Sequence, residues 1–222
     1  MRFLLLTGLA FVVTTQLRAQ QKGLPVKEWG SNSSNAFVFY ISGDGGLNSF
    51  TISLCDNINK AEYSVTALNA RSYFWNKKTP QQAANELADY LARATSNRKN
   101  QQIVLVGYSF GADVLPFIIN KLPAALKSKI KTSVFIAPST STDFEIRLTD
   151  MFSQGKKRSM DVVAEMNRMD ATKTVIIQDG DEKGFPVKSI TLKNLTVETL
   201  TGSHHFDGDT KLVAQTVLKH CK

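Results

Sequence analysis

Six short segments rich in apolar and β-branched residues stand out along this chain as candidate strands. They are Phe37–Ile41, Tyr63–Leu68, Ile103–Val106, Ser133–Ile136, Thr174–Ile177 and Val197–Leu200. Continuous β-branched and aromatic runs of this length suit strands buried on both faces of a parallel sheet. Between them the apolar spacing changes to that of helices. Thr79 can cap, Pro80 takes the first helical position, Gln82 completes a capping box, and Ala83, Leu87, Leu91 and Ala94 fall on one face. Helices are also predicted over Gly111–Leu122, despite Pro116, and over Lys211–Leu218. Strand–helix alternation predicts an α/β fold with a mostly parallel central sheet flanked by helices and right-handed crossovers. Residues 20–35 read as a polar lead-in. Residues 139–170 are the least regular and predict at most a small cap. With no internal repeat and no linker, residues 20–222 are expected to form one domain.

The first run of the chain differs in kind. Arg2 precedes an apolar stretch from Phe3 to Val13, and Ala19 offers a small residue for cleavage. Met1–Ala19 therefore reads as a signal peptide, too short for a transmembrane helix, which needs about 20 apolar residues. The expected location of the mature chain is the periplasm or the medium.

Composition sharpens this picture in a few places. The 222 residues are 42% apolar and 21% charged, which excludes a disordered or low-complexity chain. Lys and Arg number 27 against 19 acids, a net charge of +8 that drops to +6 once Arg2 and Arg18 leave with the signal segment. That excess favours peripheral contact with anionic membrane surfaces, and Lys156-Lys157-Arg158 is its densest cluster. No basic motif is interleaved with aromatics, so no nucleic acid is expected. Two cysteines, Cys55 and Cys221, cannot build a disulfide scaffold, although they could pair with each other in an oxidising compartment.

The chemistry sits at the ends of the predicted strands. Gly107-Tyr108-Ser109-Phe110-Gly111 matches G-x-S-x-G between a strand and a helix, the context in which a serine is lifted above a sheet as a nucleophile. The glycines would permit the tight turn, and the Phe110 N–H would help to bind an oxyanion. A serine hydroxyl needs an adjacent base. His204 and His205 follow the last predicted strand; His204 is favoured and His205 is the alternative. The loop after Ile177 carries Asp179, Asp181 and Glu182, any of which could orient the imidazole. Ser42-Gly43-Asp44-Gly45-Gly46 follows the first strand, and the Asp44 N–H is assigned as the second oxyanion donor. Gly43, Tyr108 and Trp75 are the expected substrate contacts, with Tyr73 and Phe74 beside Trp75 either lining the mouth or packing in the core. The glycine loop lacks the spacing and lysine of a phosphate-binding loop, and the histidines lack the spacing of a helical zinc site. No metal and no cofactor are therefore expected.

Taken together, Ser42–Gly46, Arg71–Trp75 with Thr79-Pro80, Asp143–Ile146, Gly107–Asp113 running on to Leu115-Pro116, and Gly202–Gly208 resemble the bacterial VirJ/AcvB virulence-protein family within the α/β-hydrolases. The resemblance implies an α/β-hydrolase fold and a periplasmic enzyme that cleaves the ester joining lysine to phosphatidylglycerol. It implies Ser109 as nucleophile, Glu182 as acid (with Asp181 as its alternative) and His204 as base. The family is also linked with secretion of virulence factors, so a protein partner in a secretion system is a further expectation. A general carboxylesterase or thioesterase is the alternative within enzymes, and a non-catalytic assembly protein that keeps the fold is the alternative outside them.

Overall fold

The computed structural model describes residues 23–96, 101–147, 158–170, 172–180 and 185–222. The signal segment, Lys156, Lys157, Asp181 and Glu182 fall outside the described residues. All six candidate segments are strands: β2 (Phe37–Ile41), β3 (Val65–Leu68), β4 (Ile103–Tyr108), β5 (Ile130–Ile136), β8 (Lys173–Asp179) and β9 (Leu195–Leu200). They pair in parallel in the order β3-β2-β4-β5-β8-β9, and β1 (Val26–Trp29) adds an antiparallel edge beside β3. The remaining strands, β6 (Ser141–Thr142) and β7 (Met160–Asp161), form a separate two-stranded piece.

Side-chain alternation divides the core into two layers. Phe37, Phe39, Ile41, Ile103, Leu105, Phe135 and Ile176 face the layer covered by α3 (Pro80–Ala94), α4 (Phe110–Lys121) and α6 (Val162–Met166). Val38, Tyr40, Val104, Val106, Val134, Val175 and Ile177 face the layer covered by α1 (Ser49–Lys60) and α7 (Thr210–Lys219). Short helices α2 (Ala70–Tyr73) and α5 (Ala124–Lys127) complete the described helices. The capping box at the start of α3 is formed as predicted, and Pro116 is accommodated inside α4.

β1, α1, α2, α5, α6 and the β6–β7 pair all lie where no element was predicted. The polar lead-in contains β1, whose Lys27 and Glu28 are exposed as befits an edge strand, and its Trp29 indole donates to Asp56 of α1. Helix α1 follows the glycine loop, capped by the Asn48 side chain, which accepts from the Thr51 N–H at 3.0 Å. Cys55 and Cys221 are separate, buried thiols of the same apolar layer. Burial pushes the Cys221 thiol up to about 12, and raises Cys55 further.

The topology also fixes where a site can form. From β2 the chain moves through α1 to β3 on one side; β4 then lies on the other side of β2 and leads into α4 on the opposite face. The strand order thus reverses between β2 and β4, and sheets of this class bind their ligands outside the carboxyl ends of the strands at such a switch point. Residues 42–46 and Ser109 are at that edge.

Candidate active site

Ser109 links the end of β4 to the first turn of α4 with φ 52° and ψ −121°, a conformation that costs a non-glycine residue about 1–3 kcal/mol. The strain therefore sits on the serine itself and not on its glycines, neither of which has a positive φ. The glycines are needed for space. A Cβ on Gly107 would lie 2.5 Å from the Gly111 carbonyl oxygen, and one on Gly111 would lie 2.2 Å from that of Ile41. The first contact seats α4 on the end of β4; the second brings α4 against the start of the 42–46 loop. The Ser109 N–H donates to Ile136 O at 2.8 Å and its carbonyl accepts from Asp113 N–H at 3.0 Å, so the turn is held from both sides.

Gly43 packs against this turn. A Cβ there would lie 3.4 Å from the Cβ of Ser109 and from the Tyr108 ring. The loop is shaped by a Gly46 N–H bond to Gly43 O at 3.0 Å and by the buried Ser42 hydroxyl, which accepts from Ala70 N–H at 3.0 Å and donates to Gly43 O at 3.1 Å. Among the described residues neither the Asp44 nor the Phe110 amide has a hydrogen-bond acceptor. Phe110 begins a helix, so its N–H is one of the four that a helix leaves without an internal partner.

His204 and His205 stand on the turn between β9 and α7. Of the two, His204 reaches the serine: its Nε2 is 2.9 Å from Ser109 Oγ. The His205 ring turns instead to Tyr108, its Nδ1 lying 2.6 Å from the phenol oxygen. Tyr108 was expected to touch substrate, but its side chain is 3% exposed and engages the histidine turn, with its hydroxyl also 3.2 Å from the His204 carbonyl oxygen. Phe206, buried in the core with φ 50°, anchors the other end of the turn.

Asp181 and Glu182 lie outside the described residues. Asp179, also considered, is the last residue of β8, is buried, and is paired in register with Leu200, four residues before His204. The pattern of the chain missed a second carboxylate at this edge. Asp113, one turn into α4, is buried and accepts the Ser139 N–H at 2.6 Å, tying the loop after β5 to the helix of the serine. Burial pushes its carboxyl up to about 7, against the Ser139 hydrogen bonds and Arg158. Its place four residues after Ser109, on the helix face turned toward the sheet, is the signal that could have marked it.

Tyr73 and Phe74 belong to the core: Phe74 meets Phe110 edge-on at 5.2 Å and Phe144 at 5.6 Å. Trp75, next along, is half exposed. Among the described residues no three His, Cys, Asp or Glu side chains gather as metal ligands, and no helix is long and apolar enough to cross a membrane.

A strained serine between strand and helix at the switch point, with a histidine from the turn after the last strand, marks the α/β-hydrolase fold. Solved structures with that fold agree along most of the chain. Est1E from Butyrivibrio proteoclasticus is 12% identical, with a TM-score of 0.59, over 87% of this chain and 90% of that one. A protein from Klebsiella pneumoniae that carries a provisional dienelactone hydrolase name is 11% identical, with a TM-score of 0.61, over 91% and 94%. The NocB thioesterase domain, solved as a covalent complex with a fluorophosphonate nocardicin G analogue, is 14% identical, with a TM-score of 0.61, over 89% and 99%. The family model described as bacterial virulence protein (VirJ) matches residues 35–222, and the chain belongs to that family. No curated protein sequence matches it.

Proposed function

We propose that this protein is a periplasmic serine hydrolase of carboxylic esters, and that its substrate is the lysyl ester of phosphatidylglycerol. The observation that carries the reading is His204 Nε2 at 2.9 Å from the oxygen of a serine held at positive φ. In the forward reaction Ser109 Oγ attacks the ester carbonyl carbon while its proton passes to His204 Nε2. The Phe110 and Asp44 N–H groups stabilise the oxyanion. Collapse breaks the acyl–oxygen bond, and His204 returns the proton to the departing hydroxyl of phosphatidylglycerol. Water, deprotonated by His204, then attacks the acyl-enzyme and releases lysine and Ser109. Glu182 is the proposed acid behind His204, with Asp181 and Asp179 as alternatives.

The substrate assignment is supported by the family and by the chemistry at the mouth. Asp44 offers an exposed carboxylate to an ammonium, and half-exposed Trp75 offers an aromatic face to acyl chains. The basic surface suits peripheral contact with anionic lipid. A general carboxylesterase or thioesterase is the second reading, favoured by the esterase and thioesterase structures that share the fold.

The test is release of lysine from purified lysyl-phosphatidylglycerol by the mature protein, beside Ser109→Ala and a short-chain ester. Lysine release that vanishes in the variant is the expected result. Turnover of the short-chain ester alone moves the substrate to the second reading. Turnover of neither by folded protein overturns the hydrolase assignment in favour of a secretion-assembly role.

A further inference from the structure

We infer that Tyr108 and His205 form a hydrogen-bonded clamp that positions His204 for proton transfer with Ser109. The inference deepens the hydrolase reading, on which it rests, by assigning roles to two residues that touch neither the reacting oxygen nor the ester.

The argument begins from hydrogen-bond inventory. A phenol carries one proton and can also accept. The Tyr108 hydroxyl lies 3.2 Å from the His204 carbonyl oxygen and 2.6 Å from His205 Nδ1. A carbonyl oxygen can only accept, so the phenol proton goes to His204. His205 must then supply the proton for the shorter contact. Both bonds exist together only when His205 carries hydrogen on Nδ1, giving the chain His205 Nδ1–H to Tyr108 Oη–H to His204 C=O.

Geometry supplies the consequence. Tyr108 immediately precedes Ser109 in the chain, and its buried ring packs, tilted by 33°, against the partly exposed rings of Phe50 at 4.9 Å and His204 at 5.7 Å. The backbone of the base is thereby referenced to the residue beside the nucleophile, although the two histidines arrive from a turn 96 and 97 residues further on. That turn contains four positive φ angles, at Gly202, Phe206, Asp207 and Gly208. Phe206 pins its far side in the core, and the clamp pins the side that carries the imidazole.

Tyr108→Phe keeps the ring and removes only the hydroxyl. Misplacement of a reacting group by about 1 Å can cost on the order of a hundredfold, so a loosened base should lower kcat by roughly ten- to a hundredfold with KM changed by less than about twofold. His205→Leu should do the same. His205→Asn places an amide N–H where Nδ1–H stood and should recover most of the rate. A purely structural role would lower stability in all three variants without this ordering.

The experiment combines two readouts on the mature protein. The first is the rate at which a fluorophosphonate modifies Ser109 in wild type, Tyr108→Phe, His205→Leu and His205→Asn, with kcat and KM for a short-chain ester. The second is the ¹⁵N shift of the histidine rings, which reports the tautomer without any turnover. Slow Tyr108→Phe and His205→Leu, a fast His205→Asn, and a protonated Nδ1 on neutral His205 that is lost in Tyr108→Phe support the clamp. Wild-type rates in Tyr108→Phe, or an unprotonated Nδ1 in the wild type, overturn it. Failure of the hydrolase reading looks different: wild-type protein would ignore the phosphonate, and the tautomer would still decide whether the clamp exists.

Discussion

Gly111→Ala is a test of how the two halves of the site are registered. A methyl group there would stand 2.2 Å from the Ile41 carbonyl oxygen and 2.7 Å from that of Ser42. Ordinary contact begins near 3.4 Å, so α4 and the end of β2 must part by about 1.2 Å. Both contacts are backbone, which leaves no side-chain rotation to absorb the overlap. Overpacking of this kind costs about 1–3 kcal/mol, and an unyielding backbone puts it near the upper end. At roughly 2–4 °C per kcal/mol for a domain of this size, Tm should fall by about 6–12 °C. The same displacement separates the 42–46 loop, with its Asp44 amide, from Ser109. A shift on the order of 1 Å in a catalytic constellation is worth about a hundredfold in rate. Thermal melts and phosphonate labelling measured together on Gly111→Ala read both effects. The comparison is Gly30→Ala, whose methyl meets nothing within 4 Å and should change neither. A Gly111→Ala protein with wild-type Tm and labelling rate would refute the claim that this close approach sets the register of the site.

Three further outcomes are expected. Ser109→Gly relieves a strain of about 1–3 kcal/mol at the cost of up to about 1 kcal/mol of glycine entropy, so it should raise Tm by a few degrees while abolishing labelling; a lower Tm would contradict the strained elbow. Asp113 has a folded pKa raised from 3.8 to about 7, so the folded chain holds a proton that the unfolded chain has lost across that interval. Its favourable contribution is complete below about 4 and lost by about 7, and the urea midpoint of the wild type should fall more steeply than that of Asp113→Asn between those pH values. Equal slopes would remove Asp113 from the account. Thr79→Ala breaks the reciprocal capping box of α3, in which the Gln82 N–H donates to Thr79 Oγ1 at 3.1 Å and the Thr79 N–H to Gln82 Oε1 at 2.9 Å. It should cost about 1 kcal/mol in denaturant titrations and leave the labelling rate unchanged.

The inner strands were legible because burial on both faces demands an unbroken apolar run. β9, at the edge of the sheet, is only partly buried and mixes polar with apolar residues. Among the described helices α4 alone carries a comparable buried stretch, from Gly111 to Ile119. Of the elements missed by pattern, β1 and α1 fail the usual signals for definite reasons. β1 is an antiparallel edge strand of four residues, Val26 to Trp29, with charged residues in the middle, where solvent rather than a neighbouring strand meets its outer side. α1 buries Thr51, Leu54, Cys55 and Ile58, a correct helical spacing, but two of those four are not strongly apolar and the remaining positions include Asn and Ser. Its helicity is owed to packing against α7 and to the Asn48 cap more than to intrinsic preference. The Asn48 cap, followed by that spacing, was the available sign.

The site was legible where its chemistry is local and hidden where it is not. G-x-S-x-G works as a signal because three requirements coincide within five residues: a strained serine, and two places where backbone approaches backbone too closely for a Cβ. The partnership of Tyr108 with the histidine turn has no such local mark. Tyr108 occupies the first variable position of the motif, and an aromatic residue beside a nucleophile reads equally well as a substrate contact. Its orientation is decided by β4, which turns alternate side chains to opposite faces: Val104, Val106 and Tyr108 enter the layer of α1 and α7, while Ile103 and Leu105 enter the layer of α3 and α4. The histidine turn leads into α7 and therefore arrives on the same face as Tyr108. Parity along one strand and the side on which the last helix packs together determine that this side chain meets the base. Both can be read only once the strand order is known, since a one-residue slip in β4 would turn the phenol to the other face.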